Sequence, residues 1–303
     1  MIAGIDIGGT KIALGLIDDN GVVVGHSKIP VQIDRGPAHA RDRIVKELRK
    51  QLVETGAELM GIGIACTGPV DPITGELGDV PTLPGWQGWN PLRELADAFG
   101  VTVALENDAD AAALGEARWG AGKGKRSVIS ITVGTGIGAG IILNGDVYRG
   151  AKQAHPEIGH HIVEPGGPLC TCGASGCWES LASGPALEQW YAEQNPNHDR
   201  RTGEDICMLA RAGDAAAQRA VERLAKYLGI GLSNVMSMLM PEVIALSGSV
   251  MQSADLLLDP IRTIIRSNCR LVPAESCEIA VSSLGANAGL IGAAQVWHYR
   301  FNS

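Results

Sequence analysis

The sequence lacks three features that would direct it to a membrane, to a nucleic acid or to secretion. None of its apolar runs reaches the roughly 18 residues that a membrane-spanning helix needs. Acidic side chains outnumber basic ones by 33 to 25, whereas phosphate backbones are held mainly by lysine and arginine. No basic segment followed by an apolar core opens the chain, so we expect no signal peptide. Together these absences predict a cytoplasmic protein with no membrane or nucleic-acid partner.

The cysteine count indicates free thiols or metal ligands. Seven is an odd number, and without a secretory signal we expect a reducing compartment, in which disulfides are rare. The 303 residues, of which 19% are charged and 45% hydrophobic, have a globular composition. They suffice for two ordinary domains, or for one large α/β domain with a sizeable core.

Two stretches of the sequence begin alike and predict a duplicated architecture. One runs IAGIDIGGTKIALGLIDDNGVVVG from Ile2, and the other runs VISITVGTGIGAGIILNGDVYRG from Val128. Each reads as three antiparallel strands with a glycine-rich first turn and an Asn-Gly second turn. Helical and strand segments alternate after both stretches. We therefore predict a duplicated βββαβα unit whose two lobes face each other around a cleft, with no low-complexity linker.

The two glycine-rich turns are candidate phosphate-binding elements. Gly-Gly-Thr and Gly-Thr-Gly turns expose backbone N–H groups with no Cβ in the way, which suits phosphate oxygens. The aspartate before the first turn could hold a hydrated Mg²⁺. A tight hairpin explains either turn alone, but their recurrence at matching positions favours phosphate binding. The predicted set is Asp6, Gly8, Gly9, Thr10 and Lys11 in the first turn, with Gly134, Thr135 and Gly136 in the second.

The segment GTGIGA also fits the dinucleotide-binding pattern G-x-G-x-x-G/A. That pattern must open a helix, whereas IGAGIILNGD continues as a strand into an Asn-Gly turn. The context therefore excludes a Rossmann-type site.

A strand-to-helix junction supplies the candidate catalytic carboxylate. The buried strand VTVALE runs into Asn107 and Asp108 and then into an alanine-rich helix. Either residue alone is explained as an N-cap. A carboxylate at the carboxyl end of a strand in an open α/β sheet, however, lies where ligands bind, and phosphoryl transfer needs a carboxylate to accept the proton of the attacking hydroxyl. We predict Asp108 as that base and Asn107 as a positioning hydrogen-bonder, and we assign Asp110 to the helix dipole.

The stretch CTCGASGCWE contains three cysteines, Cys170, Cys172 and Cys177. One histidine of the upstream pair His160 and His161 would complete a closed set of three sulfurs and one nitrogen, which suits Zn²⁺. Flanking glycines favour a loop over a core element, although the spacing is not that of the usual C-x2-C ribbon. Four protein ligands leave no open position, so we predict a structural site that fixes the glutamates on either side of it.

Four motifs together resemble the ROK family (repressor, open reading frame, kinase) within the actin-like ATPase superfamily. They are DIGGTK, LENDADAAALGE, GTGIGAGI and EIGHHIVEPGGPLCTCGASGCWESLASG, and the likeness covers essentially the whole chain. The resemblance implies a two-lobed actin-like (ribonuclease H-like) α/β fold with a zinc-binding loop. It also implies an ATP-dependent, Mg²⁺-requiring kinase that phosphorylates a hexose or an N-acetylhexosamine.

By position, the resemblance assigns roles to residues of this chain. The general base corresponds to Asp108, and Gly248 is expected near the adenosine. The zinc ligands correspond to His160, Cys170, Cys172 and Cys177, so that His160 rather than His161 is the ligand. The sugar-binding residues correspond to Gly68, Asn107, Asp108, Glu157, His160 and Glu179.

The resemblance also gives an expected domain organisation. We expect an N-terminal lobe of residues 1–107, joined by the C-terminal helix 288–303. A C-terminal lobe of residues 108–287 would carry the zinc loop and helical insertions. We expect the chain to form a homodimer or a homotetramer.

Two departures from the family pattern bear on the sugar. Pro81-Thr82 stands where many members carry Pro-Asn, and His155-Pro156 stands where glucokinase-like members commonly have Ala-Gly. Fructokinase-like members have a similar His-Pro-Glu.

A pyranose phosphorylated at O6 fits the predicted acceptors. We rank glucose first, N-acetylmannosamine or N-acetylglucosamine second, and fructose third.

Two other classes of function are weighed against a kinase. Repressors of this family carry an N-terminal winged helix-turn-helix of some tens of residues, whereas the first predicted strand here begins at Ile2. A sugar-sensing regulator without a DNA-binding domain would not need both the phosphate turns and Asp108. A zinc hydrolase needs a free position on the metal, which the predicted site lacks. We therefore expect a kinase.

Overall fold

The computed structural model describes residues 1–197 and 199–302, and this part of the chain is an α/β protein. Its strands are β1 (Ile2–Ile7), β2 (Lys11–Ile17), β3 (Val23–Pro30), β4 (Gly61–Cys66), β5 (Thr102–Asn107), β6 (Val128–Val133), β7 (Ile137–Leu143), β8 (Asp146–Val147), β9 (Val243–Ser247) and β10 (Glu278–Val281). Its α-helices are α1 (Gly36–Thr55), α2 (Pro91–Phe99), α3 (Asp108–Trp119), α4 (Trp178–Ala182), α5 (Gly184–Gln194), α6 (Gly203–Arg211), α7 (Ala215–Leu239), α8 (Ala254–Asn268) and α9 (Ala288–Phe301).

The strands form two five-stranded mixed sheets with the same topology. The first has the order β3-β2-β1-β4-β5, and the second has the order β8-β7-β6-β9-β10. In the first sheet β1, β2 and β3 are antiparallel neighbours, while β4 and β5 join β1 in parallel. In the second, β9 pairs in parallel with both β6 and β10. The matching order confirms the predicted duplication and the α/β actin-like fold class.

The chain divides into two compact units. The first consists of Met1–Arg126, Gly140–His155 and Ser283–Ser303, and the second of Ser127–Ala139 and Pro156–Ser282. The helix α3 therefore belongs to the first unit. The predicted lobes, 1–107 with 288–303 and 108–287, stay a prediction.

Side-chain spacing explains how α1 covers one face of the first sheet. Ala40, Ile44 and Leu48 recur every four residues on α1, are fully buried and pack in the same core cluster as the strand residues Ile5 and Ile62. Residues four apart lie on one helix face, so a single apolar stripe of α1 covers the sheet.

Glycines on the strands let α9 approach the first sheet closely. Gly63 lies on β4, and a Cβ added there would clash with the carbonyl of Ala293 on α9. The same holds for Gly61 beneath the indole of Trp297. The Trp297 Nε1–H donates to Thr102 Oγ1 at 2.8 Å, which ties α9 to β5 as well. Because α9 lies on β1, β4 and β5, it supports the strands that carry the candidate site.

In the second unit, the long helix α7 anchors the short helix α4. Trp178 on α4 is fully buried, and its Nε1–H donates to the carbonyl of Tyr227 at 2.8 Å. Gly231 on α7 leaves the space that the indole fills. Because Trp178 follows the last predicted zinc ligand directly, this packing fixes one end of the cysteine-rich segment.

Among the described residues, no helix is both long and apolar enough to cross a bilayer.

Candidate active site

The carboxyl ends of three parallel strands line up at one edge of the first sheet. Ile7, Cys66 and Asn107 are register partners on β1, β4 and β5. The residues that follow these strand ends therefore lie at the same edge. They are Gly8 and Gly9 after β1, Gly68 after β4, and Asp108 after β5. Strand register alone thus brings together residues that the sequence assigned to two different motifs.

The first glycine-rich turn is closed by its backbone and supported from behind. The Gly8 N–H donates to the Lys11 carbonyl at 3.0 Å. A Cβ added to Gly9 would lie 2.8 Å from Thr82 Cβ, so no other residue fits there without movement. The side chains of Thr10 and Lys11 are exposed. Thr82, at a position where the sequence departs from the family pattern, therefore supports the turn.

Asp6 lies just before this turn and next to the start of α9. Burial raises the pKa of Asp6, and the positive charges of Lys11 and Lys28 partly offset that effect. Gly289 on α9 is adjacent, because a Cβ added there would clash with the Asp6 carboxylate. A partly desolvated carboxylate beside a phosphate-type turn is a suitable anchor for a hydrated divalent cation.

Asn107 caps α3 and also contacts the end of the neighbouring strand. Its side-chain oxygen accepts the Ala109 N–H at 2.9 Å, so the N-cap interpretation is right for this oxygen. Its side-chain nitrogen lies over Gly68, since a Cβ added at that glycine would be 2.8 Å away. The oxygen of the Asn107 amide is therefore fixed by the Ala109 N–H, and the nitrogen of the amide lies beside Gly68.

Asp108 is the first residue of α3, and its environment is unusual for a carboxylate. Its Oδ1 accepts the Ala109 N–H at 2.8 Å. Solvent reaches part of the side chain, but burial of the carboxylate among protein atoms, and then the negative charge of Asp6, raise the pKa of Asp108 to about 6. A carboxylate with this pKa is ionised at neutral pH and is more basic than an ordinary aspartate. That combination suits a general base.

The second glycine-rich turn, between β6 and β7, holds a glutamate. The Gly134 N–H donates to the Gly136 carbonyl at 2.9 Å, and the Ile137 N–H donates to Glu179 Oε2 at 2.9 Å. The Glu179 carboxylate lies over Gly136, where a Cβ would clash with it. Thr135 is exposed at the tip of the turn. The structure thus joins the predicted phosphate turn to a predicted sugar ligand.

Gly248 lies at the end of β9, beside the same turn. Its φ of 95° is in the left-handed region, and a Cβ there would clash with the carbonyl of Val133. The Gly184 N–H donates to the Gly134 carbonyl at 2.8 Å, which brings the start of α5 to the turn. A groove of about 360 Å³ lies alongside, lined by residues that include Gly184 and Ser249.

The predicted metal ligands converge in the second unit. The ligand atoms of His160, Cys170, Cys172 and Cys177 all lie within 4.8 Å of one another. Cys170 Sγ is 3.5 Å from His160 Nδ1, and Cys172 Sγ is 3.6 Å from Cys177 Sγ. At the tetrahedral angle, Zn–S bonds of about 2.3 Å and a Zn–N bond of about 2.0 Å place S and N about 3.5 Å apart and two sulfurs about 3.8 Å apart. The donor set and its spacing therefore fit Zn²⁺.

The two neighbouring histidines have separate environments. His160 directs Nδ1 towards the cysteines. His161 lies against the Trp178 ring, with centroids 5.4 Å apart, and its Nε2 is 3.2 Å from Asn234 Nδ2. The structure thus places His160 with the sulfurs and packs His161 elsewhere.

Glu157 and His160 lie one helical turn apart beside the second glycine-rich turn. Glu157 precedes the short 3₁₀ helix Ile158–His160, and the His160 N–H donates to its carbonyl at 3.0 Å. Gly159 in this helix lies against the Ile137 carbonyl, where a Cβ would clash. The 3₁₀ helix that follows Glu157 and ends at His160 thus lies beside the same turn as the Glu179 carboxylate.

The sequence did not reveal two buried ion pairs beside Asp108. Asp110, which the sequence assigned to the helix dipole, is 1% exposed and hydrogen-bonds His155 Nδ1. Glu106, at the end of β5, is also 1% exposed and hydrogen-bonds the Arg149 guanidinium, with Arg149 Nε 3.1 Å from Oε2. In the sequence, the departure from the family pattern at His155 is the signal that bears on one of these pairs.

These features define an α/β protein of actin-like kinase fold, with two glycine-rich turns and an acidic strand-to-helix junction. The chain belongs to the ROK family, whose family model matches residues 2–300.

Several relatives align with almost the whole chain. The glucokinase of Streptomyces coelicolor is 36% identical over 97% of this chain and 96% of its own. The ROK hexokinase structure from Thermus thermophilus is 35% identical with a TM-score of 0.82, covering 97% of both chains. A ROK glucokinase from Streptomyces griseus, solved with glucose and AMPPNP, is 34% identical with a TM-score of 0.79, covering 97% of this chain and 98% of that one.

Repressors of the same family are also similar. The xylose repressor of Bacillus subtilis is 30% identical over 97% of this chain but over only 76% of its own length. Family membership therefore includes both enzymes and regulators, and the choice between them depends on the residues of the site.

Proposed function

We propose that this protein is an ATP-dependent hexose kinase that transfers the γ-phosphoryl group of ATP to the 6-hydroxyl of glucose. One observation carries the proposal. Strand register places Asp108, with its pKa near 6, at the same sheet edge as Asp6 and the Gly8–Gly9 turn. A protein that only binds a sugar has no use for a carboxylate tuned as a base beside a phosphate-type turn.

The proposed reaction is an in-line displacement. Asp108 accepts the proton of the 6-hydroxyl as O6 bonds to the γ-phosphorus. The bond from that phosphorus to the β,γ-bridging oxygen breaks, and ADP leaves with the electron pair. Backbone N–H groups of the two glycine-rich turns, together with Thr10 and Lys11, would hold phosphate oxygens. Asp6 would hold a hydrated Mg²⁺, which would supply positive charge to the phosphates.

The groove beside Gly184 and Ser249 is our proposed adenosine site. It adjoins Gly248 and the turn at Gly134, so a nucleoside there would direct its phosphates at the turn. Its volume of about 360 Å³ is of the size of small-ligand pockets.

We propose that the sugar-binding residues are Gly68, Asn107, Asp108, Glu157, His160 and Glu179. His160 can serve both the metal and the sugar because its two ring nitrogens are distinct. His160 Nδ1, which faces Cys170, would bind the metal, and Nε2 would then be left to hydrogen-bond a ring hydroxyl. The metal would be a structural Zn²⁺ that keeps the imidazole in this orientation.

Glucose is the first choice among sugars. The glucokinase from Streptomyces coelicolor, at 36% identity, and the glucose-bound structure from Streptomyces griseus support it. N-acetylmannosamine or N-acetylglucosamine comes second, and fructose third. His155-Pro156 is the feature that favours fructose, and in the structure the His155 ring pairs with Asp110. We keep a homodimer or a homotetramer as a prediction.

The deciding experiment is a coupled ADP-release assay over glucose, mannose, fructose, allose, N-acetylglucosamine and N-acetylmannosamine. We expect the highest kcat/KM with glucose. A higher kcat/KM with an N-acetylhexosamine would overturn the ranking. Sugar binding by calorimetry with no ADP release on any sugar would instead support the alternative, a sugar-sensing regulator, to which the xylose repressor similarity points.

A further inference from the structure

Two buried carboxylates flank Asp108, two positions before it and two after it. Glu106 ends β5, and Asp110 lies in the first turn of α3. Both are 1% exposed, so neither charge is relieved by water. A buried carboxylate must be paired or protonated. Here each is paired with a cation from elsewhere in the chain.

Both cations come from the segment of residues 149–155. Arg149 contacts both carboxylate oxygens of Glu106, and His155 contacts Asp110. The His155 N–H also donates to the Arg149 carbonyl at 2.9 Å, so the segment closes on itself. The segment is thus fastened to the strand-to-helix junction at two points, one on each side of Asp108.

A metal ion is the alternative use of this cluster. The ligand atoms of Glu106, Asp110 and His155 lie within 4.8 Å of one another. The Arg149 guanidinium, however, already holds both oxygens of Glu106 and supplies the positive charge that a metal would bring. The contacts therefore describe two ion pairs rather than a metal site.

The negative charge of Asp110 affects the pKa of Asp108. Burial and Asp6 are the main causes of the raised pKa of Asp108, and the charge of Asp110 adds to them. Burial lowers the pKa of His155, and Arg149 lowers it too. The hydrogen bond and charge of Asp110, with the charge of Glu106, outweigh both, so the pKa of His155 is raised. An imidazolium thus balances Asp110 at the acidic end of the working range. Cys66 on β4 also lies near Asp108.

We propose that the His155–Asp110 pair, supported by Arg149–Glu106, is a positioning element that holds the first turn of α3 and shields Asp108 from a second negative charge. The proposal rests on the proposed function, with Asp108 as the base. His155 and Asp110 touch neither sugar nor nucleotide in this scheme; they act through Asp108.

The test compares kcat/KM–pH profiles of His155→Gln and Asp110→Asn with the wild type. In His155→Gln, Asp110 loses its cation, so the acid limb should move up by about half to one pH unit. In Asp110→Asn, the negative charge is gone, so the limb should move down by a similar amount. The double variant, which can keep an amide–amide hydrogen bond, should return close to the wild-type limb. His39→Gln, at a partly exposed histidine bonded to Gln32, is the matched control and should leave the profile unchanged.

Opposite shifts separate positioning from mere packing. If both single variants lose stability or rate without moving the acid limb, or move it in the same direction, the proposal is overturned while the kinase function stands. NMR titration of His155 is a second measurement that needs no activity. Its pKa should fall in Asp110→Asn, and an unchanged value would also overturn the pair. A wild type inactive on every sugar would overturn both the proposed function and this inference.

Discussion

The carboxyl edge of the first sheet and the cysteine loop, residues 162–177, both carry predicted site residues, yet different forces hold them. At the sheet edge, parallel strands in register and the helix α9 packed behind them place Asp108 without any ligand. The cysteine loop has little apolar support: Ile162 and Leu169 are 53% and 76% exposed. Backbone hydrogen bonds form its turns. The side chains that converge inside it are those of the cluster of one histidine and three cysteines.

The difference shows how one protein can build a site in two ways. Strand pairing and the packing of α9 position the proposed base, Asp108, without any ligand. The proposed sugar acceptors Glu157 and His160 lie instead beside a loop whose order we expect to depend on Zn²⁺. The base should therefore be insensitive to chelators, whereas the sugar acceptors should be sensitive to them.

Loss of zinc should have the largest effect and should be confined to the second unit. We expect about one zinc per chain, and we expect Cys172→Ser to lose both the metal and the activity, because removing a ligand removes the free energy that orders the loop. Mass spectrometry of the metal content and hydrogen exchange of residues 162–177 check this. Cys277→Ala, a buried cysteine outside the cluster, is the control and should keep its zinc. A metal-free, fully active wild type would contradict the prediction.

A packing change should affect the sheet edge instead. Gly63→Ala places a methyl group against the Ala293 carbonyl, so β4 and α9 must separate. Overpacking of this kind costs about 3 kcal/mol, and denaturant unfolding measures it. Gly138→Ala, on β7 where an added Cβ meets no atom within 4 Å, should change stability little. Zinc content should stay normal in both variants. Equal stability of the two would show that α9 does not hold the edge.

The pH dependence of kcat/KM should depend on the carboxyl edge of the first sheet and not on the cysteine loop. Asp108 acts as a base only when ionised, and its pKa is raised to about 6, so kcat/KM should fall as the pH drops through about 6. An ordinary aspartate would place this limb near pH 4. Zinc-loaded protein should be used throughout, because acid also protonates the metal ligands. A flat profile down to pH 5 would remove the basis for Asp108 as a tuned base.

Local patterns predicted most of the fold and much of the candidate site. Glycine-rich turns between apolar strands identified the duplicated sheets, and the spacing of the cysteines identified the convergent cluster, because each pattern is contained in a few neighbouring residues. The pairs His155–Asp110 and Arg149–Glu106 span 45 and 43 residues, and the Ile137–Glu179 hydrogen bond spans 42. No local pattern encodes such contacts, because they depend on how the sheets and loops fold together. Asp110 does lie in the first turn of α3, as predicted, but its contact with His155 could not be read from the sequence.

The most direct test of the account measures sugar phosphorylation and sugar binding together in Asp108→Asn. The amide keeps the shape and the hydrogen bond to Ala109, but it cannot accept the proton of the 6-hydroxyl. We predict that kcat falls by roughly 10²–10⁴-fold, while the Kd for glucose, measured by calorimetry, stays within a few-fold of the wild type. Near-normal turnover by Asp108→Asn would contradict the account.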